Sequence, residues 1–261
     1  MVKIAVFDSG FGSLSIIKEI QKICKSDIVY FADQKNFPYG GKSKKQLEII
    51  IKQTIKLLEE NFSPDLIVMA SNTPSLMVKI TNKKVIGVNP PINEAMILSK
   101  TKNIAILGTQ SAIKSKSLSN YIKKFDFSKN ENIFKVNSSE LVNLVESNKF
   151  ITDKIYCKKI IKKNLADIIS DKIDVVTLSS THLSFLKSLL SSEFPQVKFV
   201  DPANMVANNV LANIKKESEK NTIKIFTSGN VKLFKKNLLK LGIKNKVNFL
   251  STWLLPFYIH D

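Results

Sequence analysis

DLIVMASNTPS at residues 65–75 and DVVTLSSTHLS at residues 174–184 decide the fold class, because the second stretch repeats the pattern of the first. Each begins with an aspartate, continues through an apolar run, and reaches a serine that small polar residues follow. Apolar runs of this kind, separated by longer amphipathic stretches, are typical of βαβ units. Strands that are apolar along their whole length are expected where helices cover both faces of a parallel sheet. We therefore predict an α/β protein with mainly parallel sheets.

Strand-like and helix-like segments alternate along the rest of the chain. The apolar runs predict strands at residues 3–8, 27–33, 65–70, 83–88, 103–109, 132–136, 174–179, 198–201, 224–229 and 246–252. The amphipathic patterns predict helices at residues 13–24, 44–60, 115–125, 140–146 and 153–170, a helix from about residue 203, and another before the last strand.

Two further pairs of segments repeat in the same order as the opening pair. KIAVFDSG at residues 3–10 aligns with NIAILGTQ at 103–110, and VIGVNPP at 85–91 aligns with VKFVDPA at 197–203. The three pairs are separated by 100, 109 and 112 residues, so the separation is nearly constant. Three collinear pairs predict two similar, doubly wound α/β halves.

We predict that residues 1–97 together with 206–261 form the first domain, and that residues 98–205 form the second. In such sheets the ligand site lies beyond the carboxyl ends of the strands. Two similar halves that face each other across a cleft would present a near-mirror pair of groups to one ligand. The sequence therefore predicts a site between the two domains.

Composition narrows the classes of function. The 261 residues carry a net charge of +18, yet all 40 basic residues are lysines. Arginine is preferred for forked contacts with phosphate and guanine, and the lysines are spread over many helical faces, so nucleic-acid binding is disfavoured. The apolar runs are far shorter than the roughly 20 residues of a membrane span, and no charged-then-apolar leader precedes the first strand. We expect a cytoplasmic protein with no membrane partner.

The cysteines and histidines do not form a metal-binding or disulfide pattern. Cys24 and Cys157 share no motif spacing with each other or with His182 and His260. A zinc site or a disulfide framework therefore has little support. We expect neither a metal nor a cofactor.

The chain resembles the glutamate racemase family, within the aspartate/glutamate racemase superfamily, over essentially its whole length. The resemblance rests on collinear motifs: IAVFDSGFGSLSI from residue 4, YFADQKNFPYGGKS at 30–43, the strand and SNT at 66–73, VIGVNPP, IAILGT, ELVNLVES at 140–147, LSSTHLSFL, VKFVDP and IFTSGNVKLFKKNLLKLG. It implies cofactor-independent, two-base interconversion of L- and D-glutamate, or of aspartate. A small acidic amino acid is the implied ligand, and supply of a peptidoglycan precursor is the implied role. A homodimer is a further expectation. Some members of the family also bind DNA gyrase, so a protein-partner role for the scaffold is a subsidiary one.

Two serines stand where the family has its acid–base thiols. The family uses one cysteine in a C-N-T motif and one in a G-C-T-H motif, and Ser71 and Ser180 match these positions. A thiolate is accessible near neutral pH, whereas a serine alkoxide is scarcely populated without a strong adjacent base. We expect the barrier to proton abstraction to rise by more than about 4 kcal/mol, which is about a thousandfold in rate.

Most of the other matched positions keep the family's residue types. The resemblance implies that Asp8, His182 and Glu146 assist the two catalytic positions. It also implies a substrate-binding set made of Asp8, Ser9, Tyr39, Gly40, Asn72, Thr73, Thr109, Thr181 and His182. The departures from the family pattern are Ser13 after Gly12, Ser179 before the second serine, Gln34, Lys35 and Asn36 in place of a Thr-Ala-Arg type segment, and Asn89 in place of a carboxylate.

Three readings of the site remain open. The first is a racemase whose serines are either experimental replacements or weak substitutes for the thiols. The second is a natural pseudo-racemase that binds an acidic amino acid, or a protein partner, without turnover, and the additional departures favour it. The third is a serine hydrolase built on Ser180, His182 and Asp8. It is disfavoured because it lacks a G-x-S-x-G elbow. In addition, Ser71, Ser180 and Asp8 could simply cap the helices that follow them.

Overall fold

Strands and helices alternate through the whole described chain, which comprises residues 1–125, 132–169 and 172–252 of a computed structural model. The strands are β1 Lys3–Asp8, β2 Asp27–Ala32, β3 Leu66–Met69, β4 Val85–Gly87, β5 Asn103–Gly108, β6 Asn132–Asn137, β7 Val175–Leu178, β8 Lys198–Val200, β9 Thr222–Thr227 and β10 Val247–Phe249. The helices are α1 Ser13–Ile23, α2 Lys44–Phe62, α3 Asn72–Met77, α4 Ile92–Leu98, α5 Gln110–Lys114, α6 Lys116–Ile122, α7 Ser139–Glu146, α8 Lys149–Thr152, α9 Lys154–Leu165, α10 Lys187–Glu193, α11 Ala203–Asn213 and α12 Val231–Lys240. Short 3₁₀ helices span Gln34–Asn36, Tyr39–Gly41 and Thr181–Leu186.

The strands form two parallel sheets with the same central topology. The first sheet has the order β10-β9-β2-β1-β3-β4 and the second has the order β6-β5-β7-β8, and every strand pair is parallel. The order β2-β1-β3-β4 therefore recurs as β6-β5-β7-β8, with each repeated segment in the equivalent place. This arrangement confirms the predicted α/β class. The domain boundaries after residues 97 and 205 stay a prediction.

Apolar side chains cover both faces of each sheet, because neighbouring residues of a strand point to opposite faces. In β1, Ile4 and Val6 pack with α1 and α11, whereas Ala5 and Phe7 pack with α2. In β5, the residues Ala105 and Leu107 pack with α7 and α9, and their neighbours Ile104 and Ile106 pack with α4 and α6. This two-sided burial explains why the strands are apolar along their length.

Two predicted helices are shorter in the structure: the one predicted at 115–125 spans Lys116–Ile122, and the one predicted at 153–170 spans Lys154–Leu165. The predicted helix at 153–170 begins at Lys154, where the side chain of Asp153 accepts a hydrogen bond from the Tyr156 amide at 2.9 Å, as an N-cap does. It ends at Leu165, whose carbonyl accepts the Ile168 amide at 3.1 Å and the Ile169 amide at 2.8 Å. Residue 170 and His260 lie outside the described residues. Among the described helices, none is long and apolar enough to cross a membrane.

Candidate active site

The carboxyl ends of β1, β3, β5 and β7 meet around one cavity of about 260 Å³. Parallel strands place their carboxyl ends at the same edge of a sheet, and the two sheets face each other at these edges. Twelve residues were expected in the site, and eleven of them line this cavity: Asp8, Ser9, Tyr39, Gly40, Ser71, Asn72, Thr73, Thr109, Ser180, Thr181 and His182. The twelfth, Glu146, lies directly behind His182.

Ser71 and Ser180 occupy equivalent places in the two halves. Each lies two residues beyond the end of its strand, β3 or β7. Their backbone angles agree closely, with φ −145° and ψ 125° at Ser71 and φ −142° and ψ 128° at Ser180. Both precede a helix, yet neither side chain accepts a capping hydrogen bond. The helix-capping explanation for the two serines is therefore wrong, and both are cavity-lining residues.

Asp8 ends β1 and is almost completely buried. One carboxylate oxygen accepts the Ser9 amide at 2.6 Å, and the other accepts the Thr181 hydroxyl at 3.3 Å. Burial raises the pKa of Asp8 to about 6, against the opposing effect of the positive charge on His182 and of hydrogen bonds from Ser9 and Ser71. A carboxyl group with this pKa can gain or lose a proton near neutral pH, as acid–base catalysis requires. Helix α1 has Gly12 at its N-cap, so Asp8 does not cap it.

His182 and Glu146 form a buried pair on the second half of the site. The Nε2 atom of His182 lies 2.5 Å from Oε1 of Glu146. Burial alone lowers the pKa of His182, but the charge and hydrogen bond of Glu146 outweigh it and hold the pKa above its usual value. The same Glu146 oxygen accepts the Phe11 amide at 3.0 Å, which ties α7 to the loop after β1. Among the described hydrogen bonds, none joins the Ser180 hydroxyl to the His182 ring, so the hydrolase reading gains no support.

Gly10 and Gly12 allow the two halves to approach closely. A Cβ atom on Gly10 would lie 2.2 Å from Oε1 of Glu146. One on Gly12 would lie 2.2 Å from the Thr181 hydroxyl oxygen, 2.8 Å from Asp8 Oδ2 and 2.9 Å from His182 Nδ1. Close approach of backbone to other groups is a common reason for glycine in a loop. The two glycines of the DSGFGS loop therefore make room for the acid–base groups of both halves.

Hydroxyl groups join the halves across the cavity. The hydroxyl oxygens of Thr73 and Thr109 are 2.9 Å apart, and Ser111 donates its hydroxyl to the Gly40 carbonyl at 2.6 Å. The Asn72 side chain donates to the Val88 carbonyl at 3.2 Å, and its own carbonyl oxygen has no hydrogen-bond partner among the described residues. This oxygen is a free acceptor on a cavity-lining side chain.

Seven lining residues were not predicted: Phe37, Pro38, Gly41, Gln110, Ser139, Val142 and Asn143. The first four adjoin predicted positions in the sequence, so a wider window around the motifs would have included them. The other three lie on α7 at positions i, i+3 and i+4 relative to Ser139, with Glu146 at i+7. These positions share one helix face. The helical spacing from Glu146 was therefore the sequence signal that could have predicted the other three as cavity-lining residues.

Comparisons with known proteins agree with this architecture. Residues 4–210 match the model of the family described as Asp/Glu/Hydantoin racemase. The glutamate racemase of Sulfurihydrogenibium sp. (strain YO3AOP1) is 33% identical over 255 residues, which cover 93% of this chain and 95% of that protein. The glutamate racemase of Haemophilus ducreyi is 33% identical over 222 residues, 79% of this chain and 80% of the relative.

Solved structures have the same fold. The crystal structure of glutamate racemase isoform RacE1 from Bacillus anthracis superimposes with a TM-score of 0.83 at 24% identity, covering 96% of this chain and 97% of that one. Glutamate racemase from Aquifex pyrophilus superimposes with a TM-score of 0.73 at 26% identity, covering 95% and 98%. The two-sheet architecture is therefore that of the solved glutamate racemases.

Proposed function

Because the chain belongs to the glutamate racemase family, we propose that its cavity binds a small acidic amino acid and interconverts the L and D forms without a cofactor. Glutamate is the first candidate and aspartate the second. One observation carries the proposal: two hydroxyl groups, on Ser71 and Ser180, enter one cavity from equivalent backbone positions in two similar halves. Racemisation needs two acid–base groups of this kind, because a proton leaves one face of Cα and another arrives at the opposite face.

The groups around the serines suit such a proton relay. In one direction, the Ser71 oxygen takes the Cα proton while its own proton passes to the Asp8 carboxylate, which the Ser71 hydroxyl stabilises. The Cα–H bond breaks, and its electron pair delocalises into the substrate carboxylate. Ser180 then gives its proton to the opposite face of Cα. Its replacement comes from His182, which lines the same cavity, once the bound ligand brings the Ser180 hydroxyl and the imidazole within hydrogen-bond distance. The raised pKa of His182 favours the imidazolium that this step requires.

Neutral donors hold the two carboxylates of the ligand. No lysine is among the described residues that line the cavity. The Thr73 and Thr109 hydroxyls are available for this purpose, and so is the N–H of the Asn72 side chain that the Val88 carbonyl does not accept.

The hydroxyls make the reaction slow. An alcohol is a far weaker acid than a thiol, and the expected loss of more than about 4 kcal/mol in the barrier corresponds to at least about a thousandfold in rate. The second candidate function, a binder of the same amino acid without turnover, is favoured by this replacement at both positions.

One experiment separates the two candidates. The protein is incubated in D₂O with L- and D-glutamate and then with L- and D-aspartate, and the loss of the Cα proton is followed by NMR. We expect exchange above the buffer rate that disappears in a Ser71→Ala plus Ser180→Ala variant. Absence of exchange would refute slow turnover and leave the binder.

A gain-of-function variant tests the location of the chemistry. Ser71→Cys plus Ser180→Cys is expected to raise exchange by about a thousandfold or more, because each thiol enters a cavity that Asp8 and His182 already line, with Glu146 behind His182. Continued inactivity of a folded double variant that binds glutamate would contradict the assignment of these positions. We also propose a cytoplasmic location, a role in supplying D-glutamate for peptidoglycan precursors, and a homodimer, for which the family resemblance is the support.

A further inference from the structure

Asp33 is a fully buried carboxylate that the racemase reading leaves without a role. It follows β2 and is 0% exposed, but it is not among the residues that line the cavity. Its amide donates to the Asp8 carbonyl at 2.8 Å, so it lies directly beside the strand end that carries the proposed acid–base group. A buried carboxylate persists only where donors satisfy it.

Three side chains provide those donors. Asn36 donates its amide to both oxygens of Asp33, at 3.1 and 2.9 Å, and Tyr39 donates its hydroxyl at 2.9 Å. Ser228, from the turn after β9, donates its hydroxyl at 3.0 Å and accepts the Lys35 amide at 3.0 Å. Asp33 therefore accepts hydrogen bonds from both 3₁₀ helices of segment 34–41 and from the turn after β9.

The opposite side of this segment forms the cavity wall. The Tyr39 amide donates to the Ser9 hydroxyl at 3.3 Å, and the Gly40 carbonyl accepts the Ser111 hydroxyl from the second half. A Cβ atom on Gly40 would lie 2.9 Å from the Thr109 side chain, so the segment is in close contact with the second half. The position of segment 34–41 relative to Asp8, Ser9 and Thr109 therefore sets the width of the cavity on this side.

We propose that Asp33 is a positioning residue for the ligand site: it holds the Tyr39–Gly40 wall at the distance from Asp8 that an acidic amino acid requires. It acts through the Tyr39 hydroxyl, whose ring is buried, and it does not touch the ligand. The proposal rests on the proposed function for the identity of the ligand, but the position of the wall is measurable without any ligand. Asn36, one of the departures from the family pattern, gains a role as the residue that closes this network.

The chain offers a matched control for a test. Asp27 begins the same strand, and its carboxylate also accepts a hydroxyl from β9, that of Thr222. It lies at the opposite end of β2 from the cavity. Asp33→Asn and Asp27→Asn therefore make the same substitution at opposite ends of β2. Only Asp33→Asn makes it next to the cavity wall.

The first measurement is amide hydrogen exchange in the ligand-free protein. In Asp33→Asn, an amide N–H group replaces an acceptor and faces the donors of Asn36, Tyr39 or Ser228. We expect the Gly41 and Lys42 amides, which donate to the Pro38 and Tyr39 carbonyls, to exchange about tenfold or more faster in Asp33→Asn than in Asp27→Asn. Equal exchange in the two variants, with both folded, overturns the proposal whether or not the protein binds glutamate.

The second measurement is the affinity for L- and D-glutamate by calorimetry. We expect about a tenfold weaker Kd in Asp33→Asn and an unchanged Kd in Asp27→Asn, even if both variants lose stability to urea. Tyr39→Phe is expected to weaken binding in the wild type but not further in Asp33→Asn, since both changes remove the same hydrogen bond. Additive effects would overturn the route through Tyr39. If the wild type binds neither glutamate nor aspartate, the proposed function fails, and the hydrogen-exchange comparison still decides the role of Asp33.

Discussion

Replacing Gly12 by alanine adds one methyl group at the point where the two halves meet. The added Cβ would lie 2.2 Å from the Thr181 hydroxyl oxygen, 2.8 Å from Asp8 Oδ2 and 2.9 Å from His182 Nδ1. All three distances are below ordinary van der Waals contact. The backbone of Gly12 has φ −53° and ψ −37°, which alanine adopts without strain. The substitution therefore tests steric room alone.

Three contributions set the change in the free energy of unfolding. Relieving a clash of this kind in a packed site costs about 1–3 kcal/mol. If Thr181 rotates away, its hydrogen bond to Asp8 is lost, at about 0.5–1.5 kcal/mol. Alanine also restricts the unfolded chain more than glycine does, which stabilises the folded protein by about 0.4–1 kcal/mol. The clash outweighs this gain, so we expect a net loss of about 1–3 kcal/mol in the free energy of unfolding, together with weaker binding of glutamate.

Gly41→Ala is the matched control, because Gly41 also lines the cavity but a Cβ there would meet only Pro38, at 3.7 Å. We expect this control to be neutral or slightly stabilising. Urea unfolding and calorimetric titration with glutamate measure both variants. Equal stability and equal affinity for glutamate in Gly12→Ala and Gly41→Ala would refute this prediction. The two halves would then not approach each other at Gly12 as closely as the distances require.

Two more predictions concern the acid–base groups near the serines, and a third concerns the core against which Phe11 packs. The folded protein raises the pKa of Asp8 from 3.8 to about 6, so it retains a proton there that the unfolded chain has lost. The contribution of Asp8 to the free energy of unfolding should therefore fall by roughly 3 kcal/mol as pH rises from about 4 to about 6. Chemical denaturation at several pH values should show a smaller fall in Asp8→Asn, and an unchanged fall would contradict this assignment. In Glu146→Gln the pKa of His182 should drop, because burial then acts without the opposing carboxylate; an NMR titration of the imidazole protons that finds no change would disprove the pairing. Phe234 is fully buried and stacks on Phe11 with ring centroids 5.2 Å apart. Phe234→Ala should therefore lower the free energy of unfolding by about 3–5 kcal/mol. A loss below about 1 kcal/mol in urea unfolding would show that the stack contributes little.

The repeated segments were sufficient to predict the order of elements. Each quoted pair aligned one strand and the turn after it, and the structure places β1 and β5, β3 and β7, and β4 and β8 in equivalent positions. The ends of helices were less predictable. The apolar pattern predicted a helix as far as residue 170, but helix α9 ends at Leu165 and a turn follows it.

The sequence by itself determined the class of fold and the repeat of its central strands, because strand periodicity and turn motifs depend on near neighbours in the chain. The resemblance of its motifs to a known family added eleven of the eighteen residues that line the cavity. Only the tertiary structure decided what those residues do to one another. The raised pKa of Asp8 depends on burial and on His182, which is 174 positions away in the chain. The network around Asp33 depends on Ser228, which lies in the turn after β9 and is 195 positions away in the chain. Contacts of this kind form between residues far apart in sequence, and no local pattern encodes which carboxylate will be buried against which donor.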